Sequence, residues 1–129
     1  MKKRFEKIEC WEYKLPEGFT VFAGKTDVDN DLLSLKQARP NDWWFHVKGC
    51  PGSHIILVHP ESIPPSSHLL KITASIAAWH SKARNAGIVP VHYTQAKHVS
   101  KPRGAKPGSV QIKREKTIKV RPSLCFENN

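Results

Sequence analysis

The sequence predicts an α+β domain, a mostly antiparallel sheet of about five or six strands with one long helix, residues 66–86, packed against it. Three observations carry this expectation. Short β-branched and aromatic runs recur, each bounded by Gly, Pro or Asp. One segment, and only one of any length, repeats apolar residues at helical spacing. The turn between the two most apolar runs is too short for the crossover that parallel strands need.

Phe19-Thr20-Val21-Phe22-Ala23, closed by Gly24, reads as a first strand, and Asp27 to Asp31 as a polar turn. Leu32 to Ala38 has room for one or two helical turns before Pro40 stops them. Asp42 to Lys48 is the next strand. Alternation sets Trp43, Phe45 and Val47 on one face and Trp44, His46 and Lys48 on the other. After the turn Gly49-Cys50-Pro51-Gly52, Ser53 to His59 pairs back as an antiparallel hairpin. The helix then starts at a Ser66 or Ser67 cap, and its stripe runs through Leu69, Ile72, Ile76, Trp79, Ala83 and Ala86. Lys82 and Arg84 suit its C-terminal dipole, and Gly87 its C′ position. Val89 to Thr94, Ser109 to Lys113 and Thr117 to Arg121 are the remaining strands. Residues 1–18, polar with scattered aromatics, read as an N-terminal extension to a domain of 19–122, with 123–129 as a tail.

The chain has 129 residues, enough for one core. Its basic start, Met1 to Arg4, leads into Glu6, Lys7, Glu9 and Glu12, so the pattern of an export signal is missing. No apolar run approaches the roughly 20 residues of a membrane span. Cys10, Cys50 and Cys125 are odd in number and far apart, which fits reduced thiols and a cytoplasmic protein. His46, His54, His59 and His92 fall on strands, yet no pair has metal-ligand spacing. Asp27, Asp29 and Asp31 open like a calcium loop, but Leu32 and Ala38 occupy the positions that need Gly and Glu. No metal or other cofactor is expected.

Charge is the sharper signal. Lys97 to Arg121 holds nine cations (Lys97, Lys101, Arg103, Lys106, Lys113, Arg114, Lys116, Lys119, Arg121) against Glu115, a net +8 of the chain's +10. Self-repulsion at that density points to a polyanionic partner. Lys101, Arg103 and Lys106 lie on a loop bent by Pro102, Gly104, Pro107 and Gly108, where backbone N–H groups can join them on phosphate. Lys119 and Arg121 face outward from the last strand. Trp44, beside Lys48, and Tyr93 are candidates for stacking on unpaired bases. Phosphate contacts alone do not separate RNA from DNA.

Four segments resemble one family: Gly24 to Asp31; Asp42-Trp43-Trp44-Phe45-His46-Val47-Lys48-Gly49-Cys50-Pro51-Gly52-Ser53-His54; Ala74 to Arg84; and Val91 to Thr94 through Val99-Ser100-Lys101-Pro102-Arg103-Gly104-Ala105-Lys106-Pro107-Gly108-Ser109-Val110. In order and spacing they are similar to the NFACT-R domain found in the C-terminal part of NFACT ribosome-quality-control proteins. The match departs at Thr26, often Asn in the family, and at Ile72-Thr73 and His80-Ser81, where paired alanines and Tyr-Ser are common. The resemblance implies RNA binding without catalysis, to structured RNA such as tRNA or rRNA near the ribosome. It does not carry over template-free tail synthesis, which belongs to other domains of the larger relatives. Those domains do not fit in 129 residues, so a stand-alone NFACT-R protein is expected. The residues expected on RNA are Lys97, Lys101, Arg103, Lys106, Lys119, Arg121, Trp44, Lys48 and His54. Three readings stand as alternatives: an RNA-processing enzyme built on His46, Ser53 and His54, a DNA-binding module, and a protein adaptor. Oligomeric state is not legible.

Overall fold

The computed structural model describes residues 7–59 and 63–124. In chain order its elements are β1 (Cys10–Lys14), β2 (Thr20–Gly24), a helical turn α1 (Asp27–Asp31) running into a wider-wound turn (Leu32–Gln37), β3 (Trp43–Val47) and β4 (Ile55–Val58). There follow α2 (Ser67–Trp79), β5 (Val89–Gln95), β6 (Val99–Ser100), β7 (Gln111–Ile112) and β8 (Lys116–Val120). Six strands form one sheet in the order β1-β2-β4-β3-β5-β8, with every pairing antiparallel. The expected α+β class and the β3–β4 hairpin both hold.

One face of the sheet carries α2. Val21, Phe45, Val47, Ile55 and Leu57 are fully buried there against Leu69, Ala74, Ile76 and Ala77 of the helix. The alanines matter because small side chains let the helix axis come close to the strands. Ser66 caps α2, its Oγ accepting from the Leu69 N–H at 3.2 Å.

The helix stops at Trp79, seven residues short of the expected end. A tertiary contact competes with it. The Ser53 N–H donates to the His80 carbonyl and the Lys82 N–H to the Pro51 carbonyl, at 2.8 and 3.0 Å. Residues 80–82 thus pair strand-fashion with the β3–β4 turn, and Gly52 and Ser81 form a bridge. Arg84 still serves the helix end, but through its side chain: Nε donates to the Trp79 carbonyl at 2.8 Å.

The opposite face is also covered. Trp44 and Ile56 pack with Ile8 and Leu33, bordered by Val110 and Ile112. Segments 27–37 and 96–112 form this second cover. The run Ser109–Lys113 does not join the main sheet as expected. Only Gln111–Ile112 is extended, and it pairs with Val99–Ser100 in a separate ribbon. The segment read as an extension supplies β1, an edge strand in register with β2 from Cys10↔Gly24 to Lys14↔Thr20. Residue 18 is therefore not where the folded part begins. Cys10 and Cys50 are free thiols; Cys125, the start Met1 to Arg4 and most of the 123–129 tail lie outside the described residues.

Candidate nucleic-acid interface

Sheet register decides which cations share a surface. His46 of β3 lies opposite His92 of β5, which lies opposite Thr117 of β8. One step further along the same face, the Lys48 N–H donates to the Pro90 carbonyl, and Pro90 lies opposite Lys119. Side chains two residues apart on a strand share a face. Lys48 and Lys119 therefore flank Pro90 on the face away from α2, and Arg121 follows just past β8. All three are exposed. Odd spacing from Lys119 puts Lys116 on the other face, with Tyr93.

The +8 stretch is accordingly not one patch. Lys97 sits beyond the far end of β5, its Nζ 3.5 Å from Asn41 Oδ1. It is separated from the Pro90 row by about 20 Å of extended chain. Tyr93 stacks on Phe45 with ring centroids 5.5 Å apart, on the helix side.

The loop between β6 and β7 stands over the His46 end of the loop-covered face, fastened by a set of buried polar groups. The Gly108 carbonyl accepts from His54 Nε2 at 3.1 Å, so that nitrogen carries the ring proton. Nδ1 is then the acceptor, taking the Ser34 hydroxyl proton at 2.8 Å, while Ser34 Oγ accepts from Trp44 Nε1 at 3.0 Å. One directed chain runs Trp44 to Ser34 to His54 to Gly108. It requires a neutral imidazole. Burial, and then the neighbouring His46 ring, lower the His54 pKa to about 4 and keep it neutral. The His54 backbone N–H is met as well, donating to Asn30 Oδ1 at 3.0 Å.

Asp31 and Lys101 form the second fastening. Asp31 Oδ1 accepts from the Gly108 N–H at 3.0 Å, and Oδ2 lies 3.1 Å from Lys101 Nζ. That ammonium also donates to the Lys106 carbonyl at 2.5 Å and the Ser109 carbonyl at 3.0 Å. An ammonium has three N–H groups, and here all three are spent. Gly108 itself has φ +86°, and a Cβ there would come within 2.9 Å of Asp27 Oδ1. The position is closed to side chains.

Three residues expected on RNA are bonded or buried within the protein. Trp44 is only 3% exposed, because the second cover buries the face that alternation alone left open to solvent. His54 is 2% exposed with both ring nitrogens occupied. Lys101 braces its own loop rather than pointing from it. Arg103 and Lys106 are exposed and, among the described residues, enter no ion pair. Asn30, Asp31 and Ser34 were missed, since nothing in their local sequence says what they hold. Of the enzyme alternative's residues, the His46 and His54 rings meet edge to face with centroids 5.5 Å apart, while Ser53 is bonded elsewhere. Ser53 Oγ donates to the Gly24 carbonyl at 2.6 Å, away from His54. Among the described residues no group of three or more His, Cys, Asp or Glu is placed to hold a metal ion.

Fold and charge together define an α+β domain that mounts a cationic Gly/Pro loop on one face of an antiparallel sheet. Residues 10–114 match the family described as NFACT protein RNA binding domain, and the chain belongs to that family. It is 39% identical over 110 residues to the Rqc2 homolog RqcH of Bacillus subtilis (strain 168), covering 85% of this chain and 19% of that protein. The corresponding protein of Streptococcus suis (strain 05ZYH33) is 38% identical over 112 residues, covering 86% and 20%. The chain thus spans about a fifth of the length of the curated relatives it matches. Among solved structures, the C-terminal part of the fibronectin/fibrinogen-binding protein of Streptococcus suis superposes with a TM-score of 0.80. That match is 36% identical and covers 87% of this chain and 45% of the other.

Proposed function

We propose that this domain binds structured RNA, tRNA or rRNA, in a ribosome-associated quality-control setting in the cytoplasm. Arg103, Lys106, Lys48, Lys119 and Arg121 meet phosphates, while Lys101, Asp31 and His54 hold the loop that presents them. One observation carries the reading: a cationic loop with exposed Arg103 and Lys106 is fixed to the sheet by a fully bonded polar network. A preorganised loop loses little entropy on binding a polyanion. Membership of an RNA-binding domain family, and likeness to RqcH proteins, support RNA as the polyanion. In keeping with this setting, no helix among the described residues is long and apolar enough to cross a membrane.

Filter binding of tRNA at several salt concentrations tests the proposal. Affinity should fall steeply with salt, and the paired change Arg103→Ala/Lys106→Ala should flatten the log–log slope by about 1.4–1.8. A flat wild-type response, or no binding tighter than micromolar, overturns the reading. Competition with duplex DNA separates the polymers: tRNA should displace DNA, and the reverse would transfer the site to DNA.

A further inference from the structure

The cleft beside the basic loop, about 340 Å³, is lined by His46, Lys106 and Gly108 among others. A second cleft, also about 340 Å³, shares four lining residues with it, Asp27, Asn30, Pro51 and Gly52. The two are halves of one groove. The far half is walled by Trp11 of β1, Lys25 before α1, and His80, Lys82 and Arg84 after α2. None of those cations belongs to the +8 stretch.

The far half has a built aromatic wall. Trp11 stacks on His80, with centroids 4.4 Å apart and planes 24° from parallel. Tyr13 Oη lies 2.6 Å from His80 Nε2 and fixes that imidazole in place. Burial, then the Arg84 charge, lower the His80 pKa to about 4, so the wall is uncharged at neutral pH. Trp11 nonetheless stays 40% exposed, with Lys25 Nζ 5.3 Å from its ring centroid. Along the groove, four cations (Lys25, Lys82, Arg84, Lys106) face one carboxylate, Asp27. Among the described residues, Lys25, Lys82 and Arg84 enter no ion pair, and Arg84, its Nε on the Trp79 carbonyl and its guanidinium 4.5 Å from the Trp79 ring centroid, is held in place by the helix end.

We propose that the far half of this groove takes an unpaired nucleotide, its base on Trp11 in place of the Lys25 ammonium that now lies over the ring, and its phosphates on Lys25, Lys82 and Arg84. The structured part of the same RNA lies on the basic loop, so the inference rests on the RNA reading above. A cleft of about 340 Å³ has room for one flat base and not for a duplex. Aromatic platforms flanked by cations are how single strands are held.

Two hairpin RNAs with the same stem, one blunt and one with a single-stranded 3′ overhang, test it on the full chain. The overhang should tighten wild-type binding about tenfold. Trp11→Ala should remove that advantage and leave blunt-hairpin affinity unchanged, while Trp11→Phe should keep most of it. Lys82→Ala/Arg84→Ala should remove most of the advantage and lower the salt slope for the overhang RNA by about 1.4. If Trp11→Ala or the Lys82/Arg84 pair fails to fold, judged by circular dichroism melts, Lys25→Ala/Lys82→Ala, which spares the helix end, decides the matter by the same loss of the overhang advantage. Equal affinity of wild type for both RNAs overturns the proposal, as does an overhang advantage that survives either change; in both cases blunt-hairpin binding leaves the RNA reading standing. Failure of both RNAs to bind tighter than micromolar brings down the RNA reading itself.

Discussion

The helix-covered and loop-covered faces of the sheet use the same strands and are held in different ways. On the helix side, Phe45, Val47, Ile55 and Leu57 meet Ile76 and Ala77 through apolar surface, and the buried Thr73 hydroxyl is satisfied within the helix by the Leu69 carbonyl. On the loop side, the contacts that position the chain are directed: Trp44 to Ser34 to His54 to Gly108, and Asp31 to both Gly108 and Lys101. Apolar burial is large and indifferent to small shifts, so it sets how stable the domain is. A polar chain adds less net energy but tolerates only one geometry, because any unmade bond leaves a buried group unsatisfied. The first face keeps the domain folded, and the second fixes where Arg103 and Lys106 point.

The comparison breaks first at Phe45. Removing its ring should cost about 3–5 kcal/mol, since the site is fully buried and wedged against Tyr93. Urea melts of Phe45→Ala should show one cooperative transition at lower midpoint. RNA affinity, measured where the variant is still folded, should be unchanged. A specific loss of affinity in the folded variant would mean that the two faces are not independent.

Legibility in the sequence follows the same division. The helix side was readable because its signals are local: alternation through Trp43–Val47, the apolar run at Ile55–Val58, a serine cap and a 3.6-residue stripe. The loop side was readable only as charge. Gly108 and Asp31 are 77 residues apart, and no local pattern links them. Alternation correctly put Trp44 opposite Phe45, but it cannot tell that a distant segment covers the second face. Strand β1 escaped because Trp11, Glu12 and Lys14 are those of a solvent-facing edge, where charge discourages further pairing and erases the hydrophobic signal. The helix end was misplaced because Ala83 and Ala86 continue the stripe, while the chain at His80 spends its backbone groups on the β3–β4 turn.

A smaller effect, and a sharper one for the loop side, comes from pH. The His54 pKa falls from the ordinary histidine value to about 4 on folding, so below the ordinary value the unfolded chain binds the extra proton. Stability from this group is fully present above about pH 6.5 and is lost as pH falls toward 4, on the order of 2–3 kcal/mol in all. His80 is shifted the same way and adds to the wild-type slope. His54→Gln should therefore start less stable at pH 7 and lose less between pH 7 and 4.5, as read by thermal melts. Equal slopes for variant and wild type would show that the His54 chain is not holding a neutral imidazole.

The smallest effect separates brace from charge. Asp31→Asn adds one net positive charge and releases one of the three N–H groups of Lys101, so attraction alone predicts tighter RNA binding. The geometry predicts the opposite. The pair is only partly shielded, with side-chain exposures of 27% and 21%, and is worth about 1 kcal/mol or less. Losing it loosens the loop at the point where Gly108 is also anchored, and affinity should fall several-fold despite the added charge. The salt dependence then distinguishes the two lysines. Lys106→Ala should cut the slope by about 0.7–0.9, one phosphate contact. Lys101→Ala should weaken binding at every salt concentration with the slope unchanged, because its three N–H groups are already bound within the protein. A slope that drops equally for both would place Lys101 on the RNA and leave Asp31 to do no more than restrain a mobile side chain.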